Sequence, residues 1–358
     1  MRTIWVAALV LVACTTAHET GTDGGADTSD ANGGTDAAPG EDTSRTDAAA
    51  TPLCRAPSRV GTLVEVGDGY TLRDGPFAIR GTYAYRLSAD AIEPIDISTP
   101  GAPRAAGYVT TMARGGADVA IVGDVLLAAG AVIEAFDLST ATAPRSIGTS
   151  DVGGRVTAMV IDAPLGIAAI SRTDGSSALV KLDASNPRAL HVAGALELGA
   201  GSVGTVVLDG TTAFALWNPT DAFGTLLVSA DASGATPRML DMLPVDVGLQ
   251  TRLARHGTAL YANSDFGRLV TFDVHDPTAM TLVGETDVTN HVPGVAVAGD
   301  LLLVSHPWID LFDLSLPGLA PLGTIDMGSQ VIWHAELVGN ELVMSGVNGL
   351  ITVGLDCR

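Results

Sequence analysis

Apolar and polar positions repeat in one pattern from about residue 79 to the C terminus. Each repeat has a β-rich run, a tight turn at glycine, a second run, a loop, and a third run that ends apolar-Asp-apolar. The terminal aspartates recur every 40 to 48 residues, at Asp96, Asp137, Asp183, Asp231, Asp273, Asp313 and Asp356. A period of about 40–50 residues with four short strands per unit is typical of β-propeller blades. Because no stretch combines sustained helical periodicity with caps, the pattern disfavours α/β architectures.

Turn residues agree with this pattern. Pairs such as Gly123-Asp124 and Gly299-Asp300 separate the first and second runs, as two-residue hairpins require. A polar segment, often with proline, follows each aspartate and leads to a fourth strand. We predict that the repeated aspartates accept backbone N–H bonds and so fix these turns.

The seventh unit stops after its third strand, at the C terminus. Residues 54–63 have the proline-then-strand pattern of a missing fourth strand. The predicted fold is therefore an all-β, seven-bladed propeller whose last blade is closed by the N-terminal strand, which removes both exposed strand edges. This arrangement brings Cys54 and Cys357 into one turn, and we expect a disulfide between them in an oxidising compartment. The alternative is two free thiols.

The N terminus predicts export and lipidation. Arg2 and the apolar run Ile4–Val12 have the form of a signal peptide, and Leu11–Cys14 resembles the lipobox of bacterial lipoproteins. The resemblance implies lipidation of Cys14, whereas the alternative is an ordinary secretory signal with an incidental cysteine. Because Thr15 rather than Asp follows the cysteine, an outer-membrane location in the cell envelope is favoured.

The segment after Cys14 is acidic and lacks large apolar residues, so we predict a disordered tether. A calcium-binding role for its aspartates is the alternative, although their spacing follows no loop motif. The predicted organisation is a signal peptide at 1–13, a lipidated linker at 14–52 and the propeller at 53–358. The formal net charge of −21 disfavours nucleic acid as a partner.

The repeats resemble those of LVIVD-repeat proteins, a family of bacterial cell-surface propeller-like proteins. The stretch Ala259–Val274 carries the resemblance most clearly, with an aliphatic-Tyr-aliphatic run, a short glycine loop and a strand that ends at Asp273. His275 stands where the family usually has serine. The resemblance implies a cell-surface propeller and assigns no function.

Candidate site residues follow from the predicted topology, which places the longer, variable loops on one face. The blade-to-blade connections on this face contribute Asp74, Arg114, Asp118, Arg155, Arg252, His291, Trp333 and His334, and a further loop contributes His306 and Trp308. His291, His306 and His334 are candidates for a transition-metal site, and Trp308 and Trp333 for a sugar or peptide platform. The alternative is that they are ordinary loop residues. Arg114, Arg155 and Arg252 are candidates for an anionic ligand or for pairing with nearby aspartates.

Sequences typical of hydrolases, metalloproteases, phosphate-binding loops and EF-hands are missing from the chain. We therefore predict a non-catalytic, monomeric binding module without a cofactor, whose partner is an envelope or extracellular protein or a glycan. The alternative function is a metal-dependent hydrolase or lyase with its site in the propeller funnel. A quinoprotein propeller is disfavoured because the tryptophan-rich docking motifs of that family are missing.

Overall fold

The structure is a computed structural model that describes residues 55–60, 75–99, 101–221, 224–247, 252–264, 267–288, 294–305, 308–316, 318–325, 332–346 and 349–356. All of these residues belong to one unit of the chain, Thr51–Arg358. They form 28 strands and one short 3-10 helix, η1 (Pro187–Ala189). The fold is therefore all-β. Within the described residues, no helix is long and apolar enough to cross a membrane.

The strands form six antiparallel sheets. The first sheet contains β2 (Phe77–Arg80), β3 (Tyr83–Leu87), β4 (Ala91–Asp96), β5 (Arg104–Ala105) and β6 (Val109–Thr110). The second contains β7 (Asp118–Val122), β8 (Val125–Ala129), β9 (Ile133–Asp137) and β10 (Arg145–Ser150). The third contains β11 (Arg155–Asp162), β12 (Leu165–Ser171), β13 (Ser176–Asp183), β14 (His191–Asp209), β15 (Thr212–Pro219), β16 (Thr225–Asp231) and β17 (Arg238–Val245).

The C-terminal half of the chain forms the remaining three sheets. The fourth contains β18 (Leu253–His256), β19 (Ala259–Ser264), β20 (Arg268–Asp273) and β21 (Thr281–Asp287). The fifth contains β22 (Gly294–Ala298), β23 (Leu301–Ser305), β24 (Ile309–Asp313) and β25 (Ala320–Ile325). The sixth contains β26 (Ile332–Val338), β27 (Glu341–Gly346), β28 (Gly349–Asp356) and β1 (Arg55–Val60).

The seven-stranded third sheet consists of two four-stranded halves that share β14. This strand has 19 residues. Its first part pairs with β13 and its second part with β15. The chain therefore passes from the outer strand of one half to the first strand of the next without a loop.

Burial explains why the middle strands read as continuous apolar runs. All five residues of β8 and all five of β23 are buried, because other sheets cover both faces of these strands. Outer strands differ, and every residue of β21 is exposed. The apolar core consequently lies between neighbouring sheets. One cluster, for example, joins Tyr85 and Leu87 of the first sheet to Leu126 and Phe136 of the second.

The repeated aspartates have the role that the sequence predicts. In six repeats, an Oδ1 atom accepts a hydrogen bond from the backbone N–H two residues later, at 2.8 to 3.0 Å. The aspartates are Asp96, Asp137, Asp183, Asp231, Asp273 and Asp313. The side chain of Asp356 lies outside the described residues. For the other six, the prediction of a turn-fixing carboxylate is confirmed.

The two ends of the described chain meet in the sixth sheet. Strand β1 pairs antiparallel with β28, with Arg55 opposite Asp356 and Val60 opposite Val353. A buried apolar cluster joins the first sheet to the sixth and includes Phe77 and Leu350. Across the same boundary, the N–H of Gly101 donates to Oε1 of Glu341 at 2.8 Å. The first and last sheets are therefore packed against each other.

Candidate functional site

A central cavity of about 660 Å³ lies where the first strands of the sheets converge. Its walls come from β2, β7, β11, the second part of β14, β18, β22 and β26. Six of these strands follow a sheet-to-sheet connection, whereas the second part of β14 continues directly from its first part. All seven end at a hairpin. The side chains can therefore be compared by their distance from the hairpin.

Two layers of equivalent positions differ in chemistry. The mouth layer lies four residues before the end of each first strand. Five of its positions line the cavity, namely Pro76, Asp118, Thr205, Arg252 and His334. The other two, Ala158 and Gly294, are buried. The collar layer lies two residues deeper and consists of Ala78, Ala120, Val160, Val207, Ala254, Ala296 and Glu336. The cavity thus has a mixed-charge mouth above a small apolar collar that contains one carboxylate.

Asp118 joins two neighbouring first strands at the mouth. Its Oδ2 accepts a hydrogen bond from the N–H of Met159 at 3.0 Å, and its Oδ1 accepts from the N–H of Val119 at 3.0 Å. Burial raises the pKa of the Asp118 carboxyl, against the opposing effects of the Met159 hydrogen bond and the charges of Arg252 and His334. Asp118 therefore positions the β7–β11 boundary and lies within electrostatic range of both basic mouth residues.

His334 and Glu336 lie on the same side of β26 because residues two apart along a strand share a face. Nε2 of His334 and Oε1 of Glu336 are 3.2 Å apart. The imidazole also meets the ring of Phe77 edge-on, with centroids 4.8 Å apart and an interplanar angle of 81°. The side chains of His334 and Glu336 keep 45% and 35% of their surface exposed, so a solute in the cavity can reach both.

Arg255 carries a further positive charge near the hairpin end of the cavity. Its guanidinium forms an ion pair with Asp209 of the neighbouring first strand. Within the described residues, Nε of Arg255 is buried without a hydrogen-bond acceptor. Asp209 therefore balances the charge of this arginine.

The structure brings three of the sequence-predicted residues, Asp118, Arg252 and His334, to the cavity mouth. His334 lies within β26 and not in the connection that the sequence predicts, because the strand begins two residues earlier. Arg155 likewise lies at the start of β11, where its Nη2 donates to the carbonyl of Gly115 at 2.9 Å. Arg114 is exposed in the connection that precedes β7.

The remaining predicted residues lie outside the cavity or outside the described residues. Trp308 is 36% exposed directly before β24. Trp333 lies in β26, but its side chain is outside the described part of the structure, as are His291, His306, Cys14, Cys54 and Cys357. Within the described residues, no three His, Cys, Asp or Glu side chains are grouped to hold a metal ion. The three-histidine metal site therefore stays a prediction.

Glu336 and Arg255 are charged cavity residues that sequence reasoning missed. The signal for Glu336 was its position two residues after His334 in a strand, which places both side chains on one face. Using that signal requires the correct strand start, and the sequence pattern placed His334 in a loop.

A second cavity of about 500 Å³ lies at the outer rim, between the second sheet and η1 with the start of β14. Leu127, Ile133, Ala135 and Leu190 supply its apolar walls. Arg188 at its edge donates to Asp137 at 2.8 Å and to Asp124 at 2.7 Å. These ion pairs hold the turn after β13 against the second sheet.

Comparison with known proteins identifies the fold. No family model matches the chain, and no curated protein matches it significantly. Among solved structures, the β-propeller domain of Cps50 (Swd1) from Myceliophteria thermophila matches with a TM-score of 0.60 at 14% identity, over 85% of this chain and 100% of that one. The chain has a β-propeller fold.

Two further solved structures resemble this propeller. BamB from Moraxella catarrhalis matches with a TM-score of 0.52 at 15% identity, over 76% of this chain and 79% of that one. The computationally designed Ika8 protein matches with a TM-score of 0.52 at 10% identity, over 80% and 98% of the two chains. At these identities the likeness concerns the fold alone. Membership of the LVIVD-repeat family stays a prediction.

Proposed function

We propose that this propeller is a lipid-anchored protein of the cell envelope that acts as a non-catalytic binding module through the mouth of its central cavity. The observation that carries the proposal is the cavity itself, whose mouth presents Asp118, Arg252 and His334 together. Concave sites with a few convergent polar groups are the usual places of ligand binding. The partner is an envelope or extracellular protein or a glycan.

The proposal includes a closed ring of seven blades. The two halves of the third sheet count as two blades, and the other sheets as one blade each. Pairing of β1 with β28 and the cluster between Phe77 and Leu350 support closure between the last and first blades. Closure brings the mouth residues of blades that are distant in the chain around one opening.

The anchor is proposed from the sequence. The apolar run before Cys14 and the acidic segment 14–52 support a tethered lipoprotein, with the outer membrane as its site. A Cys14→Ser variant should leave the membrane fraction and lose labelling by an alkyne fatty acid. Equal labelling of the variant and the unaltered chain would contradict lipidation at Cys14.

Site-specific photo-crosslinking on living cells tests the binding role. A photoreactive residue at Met112, which is exposed on the connection into β7, should form adducts with envelope proteins or glycans. The matched control is Thr140, which is exposed beyond the other end of the same sheet. Arg252→Ala should weaken the Met112 adducts. Equal adducts at both positions, or none at either, would refute the proposal.

The metal-dependent hydrolase or lyase predicted as the alternative depends on His291 and His306. Both lie outside the described residues. We therefore carry forward the binding module alone.

A further inference from the structure

Charges around the central cavity are unevenly balanced. Asp118 accepts hydrogen bonds from the N–H groups of Met159 and Val119 at the mouth, and Asp209 forms an ion pair with Arg255 near the hairpin end. Glu336 differs from these acids, because its one ionic partner within the described residues is His334 at 3.2 Å. Among the described residues, Glu336 is therefore the cavity acid whose carboxylate accepts neither a backbone N–H nor an arginine.

The strand positions equivalent to Glu336 in the other sheets are apolar. The other six collar positions are alanine or valine, namely Ala78, Ala120, Val160, Val207, Ala254 and Ala296. All six line the same cavity as Glu336, and none of them carries a polar group. A cationic group that enters this collar must therefore pair with Glu336, because an unpaired charge is costly in apolar surroundings. The stem that carries the cation would contact the alanine and valine side chains.

Depth also restricts the ligand. Two residues separate the collar from the mouth layer, which corresponds to about 6–7 Å along a strand. A four-carbon stem like that of lysine carries its ammonium group over such a distance. Because Oε1 of Glu336 already contacts His334, the carboxylate suits a point charge better than the bidentate fork of a guanidinium.

We propose that the central cavity binds a primary ammonium group carried on an aliphatic stem. Glu336 pairs with the ammonium, and the alanine and valine collar contacts the methylene groups. The inference rests on the proposed function, since it assigns ligand chemistry to the same site. The chain's net charge of −21 attracts cations towards it.

Basic groups that face the ligand have acidic or carbonyl partners. Arg252 at the mouth lies within electrostatic range of Asp118, and Arg255 is paired with Asp209. Arg80, at the end of β2, donates to the carbonyl of Leu138 at 2.9 Å. These contacts reduce the repulsion that a cation meets on its way to Glu336.

A primary ammonium group on an aliphatic stem can come from two sources, a free alkylamine or a lysine side chain of a partner protein. Calorimetric titration of the purified full-length chain with n-butylammonium and with Nα-acetyl-lysine methylamide distinguishes them. Tighter binding of the lysine derivative indicates a protein lysine, and tighter binding of the amine indicates a free ligand. Both results support the proposal. Tighter binding of butyrate, or no binding of either amine, overturns it.

Variants test the role of Glu336. Glu336→Gln keeps the side-chain shape and should weaken amine binding about tenfold or more, because a charge-assisted pair is lost. Glu285→Gln is the matched control, since Glu285 pairs with Arg268 on an outer strand and should leave binding unchanged. Ala120→Leu narrows the collar without changing charge and should also weaken binding. Unaltered affinity in folded Glu336→Gln contradicts the assignment.

The ligand class and the binding role fail separately. If the chain binds neither amine but the Met112 adducts still form, the ammonium ligand is refuted and the proposed binding module stands. Amine binding without Met112 adducts retains the ligand class and refutes the proposed partner.

Discussion

Two glycines in equivalent positions should respond in opposite ways to alanine substitution. Gly148 in β10 and Gly194 in β14 each follow a register shift in the outer strand of their sheet. A Cβ atom on Gly194 would lie 2.6 Å from the carbonyl oxygen of Ala235 and 3.0 Å from Cα of Thr236. A Cβ atom on Gly148 would meet nothing within 4 Å. The difference arises because the turn of the neighbouring unit covers Gly194, whereas Gly148 borders the rim cavity.

The expected magnitudes follow from these distances. The 2.6 Å contact is about 0.8 Å shorter than the 3.4 Å at which ordinary contact begins, and its partner is backbone. Gly194→Ala should therefore destabilise the protein by about 1–3 kcal/mol, as overpacking does. Gly148→Ala should stabilise it by about 0.5–1 kcal/mol, because alanine restricts the unfolded chain.

Urea unfolding of the full-length chain measures both effects. With an m-value of about 3 kcal/mol/M, the two midpoints should differ by roughly 0.5–1.3 M. Gly284 is a second open position, with nothing within 4 Å of its Cβ, and Gly284→Ala should behave like Gly148→Ala. Equal destabilisation at Gly148 and Gly194 would refute the packing of the Ala235 turn onto β14.

Three further predictions concern side chains. The hydrogen bond from Arg188 is the main cause that lowers the pKa of Asp137 from its ordinary value of 3.8 to about 2. The stability that this pair contributes is therefore fully present above pH 3.8 and is lost as the pH falls towards 2. Carboxyl NMR of Arg188→Ala should show a raised Asp137 pKa, and an unmoved pKa would contradict the pairing. Asp118→Ala should cost about 1–3 kcal/mol in urea unfolding, since the N–H of Met159 loses its acceptor, and an unchanged midpoint would contradict that role. Leu350→Ala should cost about 2–5 kcal/mol, because Leu350 is fully buried between the first and last sheets, and a cost below 1 kcal/mol would indicate a loose boundary.

The repeat made much of the all-β fold predictable. Each repeated aspartate, such as Asp137, fixes a turn by accepting a hydrogen bond from the backbone N–H two residues later. Such local interactions can be predicted from the sequence. The continuity of β14 was not predictable in the same way. Gly199 and Gly201 have φ angles of 99° and 151° and are typical of loop residues, yet the strand runs through them because neighbours on both sides pair with it.

The site was predictable only in part. Arg252 and His334 stand out as charged or titratable residues near predicted connections, and both line the cavity. Glu336 required the register of β26, which depends on pairing with β27. The charge arrangement of the cavity was beyond sequence reasoning, because Asp118 and Arg252 are 134 residues apart and line one cavity only through the arrangement of the sheets.

The distance between the first and last sheets tests the central claim, a closed ring that gathers Asp118, Arg252 and His334 at one mouth. Spin labels on unnatural amino acids at Thr99 and Asn340, both exposed, leave the native cysteines unchanged. The neighbouring Gly101 N–H and Glu341 Oε1 are 2.8 Å apart. Pulsed electron–electron double resonance should therefore give one narrow distribution at a short distance between the two labels. A long or broad distribution, as an open arc of blades would produce, would contradict the ring and the cavity mouth that depends on it.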